Sequence, residues 1–356
     1  MAYPPINLAY LRTLTDCTGI IQHGTHGIPN RKLGYTTDDN ARALIIAAKQ
    51  YDRTHNREDL DLAVTYLGFL LYARSTNHRF KNFMSYQRVW LDNDGTEDCL
   101  GRSLWACGIA ASSGLPENIR IVAAKLFDEC SVWAGDLNSP RARAYTIIGM
   151  SEYLNSGQEH PGLTDKINAL GDTLLVGLKA YSTPDWVWFE PYMTYGNAIL
   201  ALGMLAAAHV TGSSQYMDAA RRSIQFLTDT LIIDGRLEII GNDGWYTHGE
   251  KRAWYDQQTI DAGYTVYMYM TAYKLLSDKT YLDLARTAYT WFFGNNRSGV
   301  WVYDSDTCGC CDAITPWGLN VNQGSEACVS FLLAQIAMEG YVDRDDVSDA
   351  VMRNGS

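Results

Sequence analysis

The stretch GYTTDDNARALIIAAKQYD, residues 34–52, passes from a polar entrance into an apolar run that has no polar stripe. Such a run indicates a helix that is surrounded by protein on all sides. A single Thr or Asp at its start would suffice to cap the free backbone N–H groups. Asp38 and Asp39, followed one turn later by Arg42, exceed that need. We therefore expect Asp38 to cap the helix and Asp39 to face a cleft, with Arg42 beside it.

Helices of the same kind recur five times, each after an entrance rich in polar and aromatic residues. They begin at Asp98, Pro140, Tyr192, Gln257 and Asn322. Amphipathic stretches lie between them, beginning at Leu60, Pro116, Leu163, Ser214 and Lys279. The N-terminal INLAYLRTLTD can supply a sixth, and strand signals are confined to LIIDGRLEIIG and SGVWVYD. This alternation predicts an all-α fold, an (α/α)6 toroid with an inner and an outer ring, with an open α-solenoid as the alternative.

The composition narrows the classes of partner. No linker splits the 356 residues, so we expect one domain over residues 1–356, and the net charge of −11 disfavours a nucleic-acid partner. No apolar run predicts a membrane helix, and the N-terminus does not resemble a signal peptide. Most of the eight cysteines lie in apolar helical runs, which indicates reduced thiols and a cytoplasmic location. The 10 Trp and 23 Tyr suit the binding of sugar rings, and nothing indicates an oligomeric state.

The inner helices of a closed ring run roughly parallel, so their N-terminal entrances meet at one end, which we call the mouth. Free N–H groups and positive dipole ends there favour carboxylates and polar ligands. We expect Glu190 or Asp98 to act as a general acid and Asp39 or Asp256 as a base. A carboxyl group set among aromatic residues, as Glu190 is in WVWFEPY, is desolvated, which favours the protonated form.

Each of these carboxylates also has a structural interpretation. Asp256 can cap its helix, Asp98 can form an i, i+4 pair with Arg102, and Glu326 can complete a capping box. Amides, arginines and aromatic side chains at the entrances are the expected contacts for sugar hydroxyls and ring faces. The predicted substrate-binding residues are His23, Tyr35, Asp38, Arg42, Arg88, Trp90, Arg102, Trp188, Tyr195, Asn197, Gln257, Asn320, Asn322, Gln323 and Glu326.

Motifs for metals and cofactors are incomplete. His23 and His26 have H-x-x-H spacing but no third ligand at a diagnostic distance. The CGCC run at 308–311 has no second pair, so a tight turn of buried thiols is the favoured interpretation. The sequence contains neither a phosphate-binding Gly loop nor a G-x-S-x-G elbow. We predict no metal and no cofactor.

Four stretches resemble the six-hairpin glycosidase superfamily, and more narrowly the uncharacterised (α/α)6 domains found alone or joined to glycosyltransferases in bacteria. They are TGIIQHGTHGIPNRKLGYTTDDNARAL, FMSYQRVWLDNDGTEDCLGRSLWACG, WVWFEPYMTYGNAILALGML and WFFGNNRSGVWVYDSDTCGCCDAITPWGLNVNQGSEACVSFLLAQ. The resemblance implies a carbohydrate-active toroid whose acid and base lie at inner-helix entrances. Here these are the positions of Asp38 or Asp39, Asp98, Glu190 and Asp256.

The preferred interpretation is a glycoside hydrolase. Cleavage of a glycosidic bond needs one carboxyl group to protonate the leaving oxygen and a second to activate water, about 6.5–9.5 Å apart in an inverting enzyme, which we favour here. One alternative is a sugar epimerase of the N-acylglucosamine 2-epimerase type, which would use His23, His26 or His248. The other is a non-catalytic carbohydrate-binding toroid.

Overall fold

The computed structural model describes residues 3–155 and 160–342. The ends of the predicted domain, residues 1–2 and 343–356, lie outside the described residues. The α-helices within the described ranges are α1 (Ala9–Leu14), α2 (Thr37–Thr54), α3 (Arg57–Ala73), α4 (Glu97–Ser112), α5 (Glu117–Cys130), α6 (Pro140–Leu154), α7 (Leu163–Tyr181), α8 (Asn197–Thr211), α9 (Ser214–Leu231), α10 (Thr259–Leu276), α11 (Lys279–Tyr289) and α12 (Ser325–Met338).

Short strands occupy the loops between helices. They are β1 (Gly24–Thr25), β2 (Ile28–Pro29), β3 (Tyr35–Thr36), β4 (Phe83–Met84), β5 (Tyr192–Met193), β6 (Ile232–Ile233), β7 (Arg236–Leu237), β8 (Tyr246–Thr247), β9 (Gln257–Gln258), β10 (Tyr303–Asp304), β11 (Gly309–Cys310), β12 (Ala313–Thr315) and β13 (Gly318–Asn320). Both stretches with strand signals contain strands, β6 and β7 in LIIDGRLEIIG and β10 in SGVWVYD.

The even-numbered helices form a closed inner ring. Each of α2, α4, α6, α8 and α10 contacts the next even-numbered helix, and α12 contacts α2. The inner helices are buried on all sides, as α8 is over residues 197–208 and α10 over residues 259–270. The outer helix α9 instead buries one stripe, which runs from Tyr216 to Leu231 at three- and four-residue spacing. The predicted (α/α)6 toroid is confirmed, and the open solenoid is excluded by the α12–α2 contact.

Pairs of strands connect neighbouring entrances at the mouth. β3 pairs with β4, which ties the entrance of α2 to the loop before α4. β5 pairs with β8, and β9 pairs with β12, so the entrances of α8, α10 and α12 are connected in the same way. The hydrogen-bonded loops therefore hold the polar entrance residues against one another.

No helix in the described part of the chain is long and apolar enough to cross a membrane.

Candidate functional site

The entrance of α2 uses its two aspartates in the reverse of the expected order. Thr36 is the N-cap, since its hydroxyl accepts a hydrogen bond from the Asp39 N–H at 3.1 Å. The Asp39 carboxylate accepts from the Thr36 hydroxyl at 2.6 Å and pairs with Arg42 at 2.5 Å, which leaves Asp39 3% exposed. Asp38 instead reaches across to Arg102 of α4, at 2.9 Å. Asp39 thus does the local structural work, and Asp38 lies between two inner helices.

Arg102 connects three inner helices. One terminal nitrogen donates to Asp38, while the other lies 3.2 Å from the Tyr145 hydroxyl of α6 and 3.9 Å from Asp98. Its guanidinium also lies 5.0 Å from the centroid of the Tyr145 ring. Asp98 accepts hydrogen bonds from the Ser139 hydroxyl at 3.1 Å and the Tyr195 hydroxyl at 2.8 Å. Two carboxylates from consecutive inner helices therefore share one guanidinium.

A second arginine connects α2 to α12. Arg42 pairs with Asp39 within α2 and with Glu326 of α12 at 3.0 Å. The Glu326 side chain is 44% exposed, so this carboxylate is the accessible end of the pair. Asp38, Asp98 and Glu326 are each the second residue of their helix, where the helix dipole favours a negative charge.

Glu190 has a partner that the sequence does not indicate. Arg141, the second residue of α6, donates to Glu190 at 2.7 Å, to the Thr194 hydroxyl at 2.7 Å and to the Tyr195 carbonyl at 2.5 Å. Both members of the ion pair are buried. The aromatic residues around Glu190 predicted an acid without a charged partner. The Arg141 guanidinium lies among them, so Glu190 is instead a member of a buried ion pair.

Burial raises the pKa of three carboxyl groups near the mouth. The pKa of Asp38 is raised because the cost of desolvation exceeds the attraction of Arg102 and Arg42. Burial raises the pKa of Asp261, in the first turn of α10, to about 7, although the backbone N–H of Asn197 donates to it at 3.3 Å. Burial also raises the pKa of Asp312 to about 7.

Several buried polar atoms at the mouth have no hydrogen-bond partner among the described residues. They are Oδ1 of Asp38, Nε of Arg42, Nε of Arg102 and the hydroxyl of Tyr264. Tyr264 is an electrostatic neighbour of both arginines, so these atoms belong to one region. Buried polar groups are usually hydrogen-bonded. We call Asp38, Asp98, Arg42, Arg102 and Tyr264 the mouth cluster; it has unused capacity for a hydroxylated ligand.

Three predicted binding residues lie away from the mouth cluster. Trp188 is fully buried, with its ring centroid 5.9 Å from that of Phe226 on the outer helix α9, so it cannot offer a ring face to a ligand. Trp90 packs against the side chains of outer helix α3, 5.7 Å from Phe69. The exposed Arg88 donates to Cys17 at 3.1 Å on that same side of the molecule. The burial of Trp188 therefore argues against its predicted contact with a sugar ring, whereas the binding roles of Trp90 and Arg88 stay predictions.

Four predicted binding side chains are occupied by bonds within the protein. The side-chain amide of Gln257 is hydrogen-bonded to Glu238 and Trp291, and that of Gln323 to Asp304 and Thr307. The side-chain amide of Asn197 is hydrogen-bonded to Thr194, and the Tyr35 hydroxyl donates to Asp16. All four residues are nearly inaccessible to solvent. They shape the entrances, and the amide or hydroxyl groups that made them candidates are already used.

The remaining candidates lie on mouth loops. Asn322 accepts from the His26 N–H at 2.9 Å, Asn320 ends β13, and His23 is exposed before the β1–β2 hairpin. Asp256 has a left-handed backbone (φ 51°) and accepts from the Gln258 side chain at 3.4 Å, so it is not the N-cap of α10.

Arg141, Tyr145 and Tyr264 were missed as site residues by sequence reasoning. A cation at the second position of a helix opposes the helix dipole, and PRARAY at the start of α6 carries this anomaly at Arg141. That signal could have identified Arg141. Tyr145 and Tyr264 lie within apolar helical runs, where nothing separates them from core residues.

Among the described residues, no group of three His, Cys, Asp or Glu side chains could hold a metal ion. The CGCC run forms part of the β10–β11 hairpin, and Cys310 and Cys311 are buried as free thiols.

The fold is shared with solved structures of sugar-acting enzymes. No protein-family model and no curated protein matches the sequence. A cellobiose 2-epimerase from Bacillus thermoamylovorans superposes with a TM-score of 0.72 at 12% identity, over 92% of this chain and 95% of that chain. A D-mannose isomerase superposes with a TM-score of 0.70 at 14% identity, over 92% and 94%. A GH76 α-mannanase from Bacteroides thetaiotaomicron gives 0.64 at 9% identity, over 92% and 91%.

The superpositions establish the (α/α)6 toroid. They leave the reaction open, because the sequence identities are low and the similar structures include epimerases, isomerases and glycosidases.

Proposed function

We propose that this protein is a glycoside hydrolase whose general acid is Asp38 and whose general base is Asp98. The observation that supports this pair is their shared contact with Arg102, at 2.9 and 3.9 Å, at the mouth of the inner ring. These two carboxylates replace Glu190 and Asp39 in our expectation, because Asp38 keeps one oxygen without a hydrogen-bond partner among the described residues and shares its arginine with Asp98.

Asp38 suits the role of acid. Burial raises its pKa, which keeps the carboxyl group protonated to higher pH than an exposed aspartate. Within residues 3–155 and 160–342, its Oδ1 has no hydrogen-bond partner, so it could contact a substrate oxygen. The proton passes from Asp38 to the glycosidic oxygen as the bond from that oxygen to the anomeric carbon breaks.

Asp98 suits the role of base. Hydroxyl donors from Ser139 and Tyr195 fix the orientation of its two oxygens. A water molecule bound to it would lose a proton to Asp98 as the water oxygen attacks the anomeric carbon. The guanidinium of Arg102 contacts both carboxyl groups, and the inverting mechanism that we favour would require them to lie about 6.5–9.5 Å apart.

A carbohydrate is the substrate class that best fits the mouth cluster. Its unpartnered guanidinium, phenol and carboxyl atoms match the hydroxyls of a sugar, and the similar structures include a cellobiose epimerase, a mannose isomerase and a mannanase.

The alternative epimerase would need a histidine in contact with the mouth cluster, and among the described residues no hydrogen bond or ion pair joins a histidine to that cluster. All seven histidines are described: His23 and His26 lie on an exposed loop, and His248 is stacked on Trp186. His209 lies near the other end of α8, and the remaining three lie outside the inner-helix entrances. Proton transfer at the mouth cluster therefore falls to carboxylates, which favours hydrolysis.

The test is release of reducing ends from a panel of α- and β-linked oligosaccharides. We expect turnover of at least one substrate, a loss of kcat of about a thousandfold in Asp38→Asn and in Asp98→Asn, and product of inverted anomeric configuration by NMR. Asp61→Asn, on outer helix α3, is the matched control. Full activity of Asp38→Asn with an intact circular dichroism spectrum would refute the acid assignment.

Two other outcomes point to the alternative functions. Deuterium uptake from D2O at a sugar carbon, without release of reducing ends, would indicate an epimerase. Calorimetric binding without turnover would indicate a carbohydrate-binding toroid.

A further inference from the structure

The outer helix α3 differs from other outer helices in the side that it turns to solvent. Residues 62–73 form its last three turns and contain no charged side chain. By contrast, α5, α7, α9 and α11 carry charged residues in both halves, as α9 does with Asp218 and Asp229. The outer side of a surface helix is normally charged or polar. The outer side of α3 is therefore unusual for a surface that contacts only water.

Large apolar side chains are exposed on this side of the molecule. Val64 and Leu71 lie two helical turns apart and Tyr72 follows Leu71, so all three point away from the core on the same side of α3. Within the described ranges, α9 and α11 expose no large apolar side chain.

The exposed apolar surface continues from α3 onto the segment 83–91. The Tyr72 ring lies 5.5 Å from the ring of Trp90, and the Leu91 N–H donates to the Phe83 carbonyl at 2.8 Å. Val89 and Leu91 flank Trp90 and are exposed. We call the six side chains that are between 43% and 66% exposed here the α3 face: Val64, Leu71, Tyr72, Phe83, Val89 and Leu91.

The area of the α3 face approaches what a stable dimer needs. At their exposed fractions, the six side chains present roughly 400 Å² of apolar surface to solvent. One partner of a standard interface buries about 800 Å², and about two thirds of it is apolar in a homodimer, which is roughly 500 Å² of apolar surface. Six side chains thus supply most of this apolar area.

The α3 face contains a groove beside its projecting side chains. The groove has a volume of about 540 Å³, and Val64, Gly68 and Tyr72 are among the residues that line it. Gly68 leaves it open, since nothing lies within 4 Å of the position that a Cβ would take there. Leu71 is exposed one turn beyond Gly68. A two-fold interface needs a depression and a projection on one surface, because both partners contribute the same residues.

We propose that the α3 face packs against the same face of a second copy of this chain, about a two-fold axis. Sugar hydroxyls would find few partners in the groove, since the Thr65 hydroxyl donates to the Asp61 carbonyl and Arg88 donates to Cys17. The net charge of −11 disfavours an anionic lipid surface. This inference is independent of the proposed glycoside hydrolysis.

Sedimentation velocity at a series of micromolar concentrations tests the proposal and requires no substrate. We expect a reversible equilibrium between monomer and dimer. Leu71→Arg and Tyr72→Arg should each weaken dimerisation at least tenfold, because a two-fold interface buries each introduced charge twice. Val176→Arg replaces an exposed aliphatic residue on outer helix α7 and is the matched control, which should dimerise like the wild type.

The variants make the proposal refutable. A wild type that stays monomeric at every concentration would overturn it, and so would undiminished dimerisation of folded Leu71→Arg or an equal loss in Val176→Arg. Binding of monomeric wild type to phosphatidylcholine vesicles, lost in Leu71→Arg, would assign the α3 face to a lipid surface instead. Circular dichroism separates loss of association from loss of fold, and both α3 variants should fold because they change exposed side chains.

Discussion

At the residue scale, the mouth is organised by three arginines near the starts of inner helices. Arg42 and Arg102 are each the sixth residue of their helix, and Arg141 is the second. Each is neutralised by a carboxylate, Arg42 and Arg102 by carboxylates of two different helices. A buried guanidinium without such a partner would be strongly destabilising. The arginines therefore fix the carboxylates in position, and Asp38, Asp261 and Asp312 remain as the acids whose burial is incompletely compensated.

Asp261 should make the stability of the protein depend on pH. Its pKa is about 7 in the folded state against about 3.9 in an unfolded chain, so the folded state binds more protons between these values. The stabilising contribution is complete below about pH 4 and is lost as pH rises through about 7. We expect the free energy of unfolding of the wild type, relative to Asp261→Asn, to fall by up to about 4 kcal/mol between pH 4 and pH 8.

Chemical denaturation of both proteins across this pH range measures the effect. Asp94→Asn, an exposed aspartate in the loop before α4, is the control and should follow the wild type. A constant difference between the wild type and Asp261→Asn would contradict the raised pKa.

The sequence identified the mouth's carboxylates better than it identified their roles. Asp38, Asp98 and Glu190 were all candidates, because carboxylates at helix entrances can be read from spacing alone. Their partners come from other helices, as with Arg141 and Glu190, which lie 49 residues apart. Thr36, and neither aspartate, is the N-cap of α2, and no periodicity in the sequence distinguishes these possibilities.

At the element scale, inner helices are distinguished by the closeness of their backbones. Gly108 of α4 and Gly149 of α6 face each other, and a Cβ at Gly149 would lie 2.7 Å from the backbone of Trp105. A larger residue would therefore separate the two helices. The outer helix α3 contains Gly68, where a Cβ would meet nothing within 4 Å.

This contrast predicts opposite effects of the same substitution. Gly149→Ala should destabilise the protein by roughly 2–3 kcal/mol, because the backbone of α4 must move. Gly68→Ala should stabilise it by roughly 0.5–1 kcal/mol, because alanine favours the helix and no neighbour obstructs it. Urea denaturation measures both. Similar changes in the two variants would show that the α4–α6 contact tolerates a wider spacing.

The helices were predictable because their burial leaves a periodic trace. Continuous apolar runs marked α8 and α10, and a single apolar stripe marked α3. The mouth strands, which are two or three residues long, are too short to leave a pattern, and their pairing depends on ring closure. For this reason the sequence did not reveal that Trp90 packs against Phe69 of α3 or that Arg88 donates to Cys17.

At the scale of the whole molecule, the ring is closed by the N-terminal segment as well as by α12 and α2. The Tyr10 hydroxyl of α1 donates to the Gln323 carbonyl at 2.8 Å, and Ser325 donates to the Gln22 carbonyl through both its N–H and its hydroxyl. These bonds join residues about 300 positions apart in sequence. The last inner helix therefore has neighbours on both sides, as every other inner helix has.

Closure of the ring predicts the rate of amide hydrogen exchange in α12. In an open superhelix α12 would fray, whereas in the closed ring its amides should be protected as strongly as those of α6. Tyr10→Phe removes one buried hydrogen bond worth about 1 kcal/mol, so exchange in residues 325–338 should quicken by about fivefold while residues 140–154 stay unchanged. Tyr72→Phe, at an exposed tyrosine on α3, should alter neither segment. Hydrogen–deuterium exchange with mass spectrometry resolves these segments, and rapid exchange of α12 in the wild type would mean that the ring opens in solution.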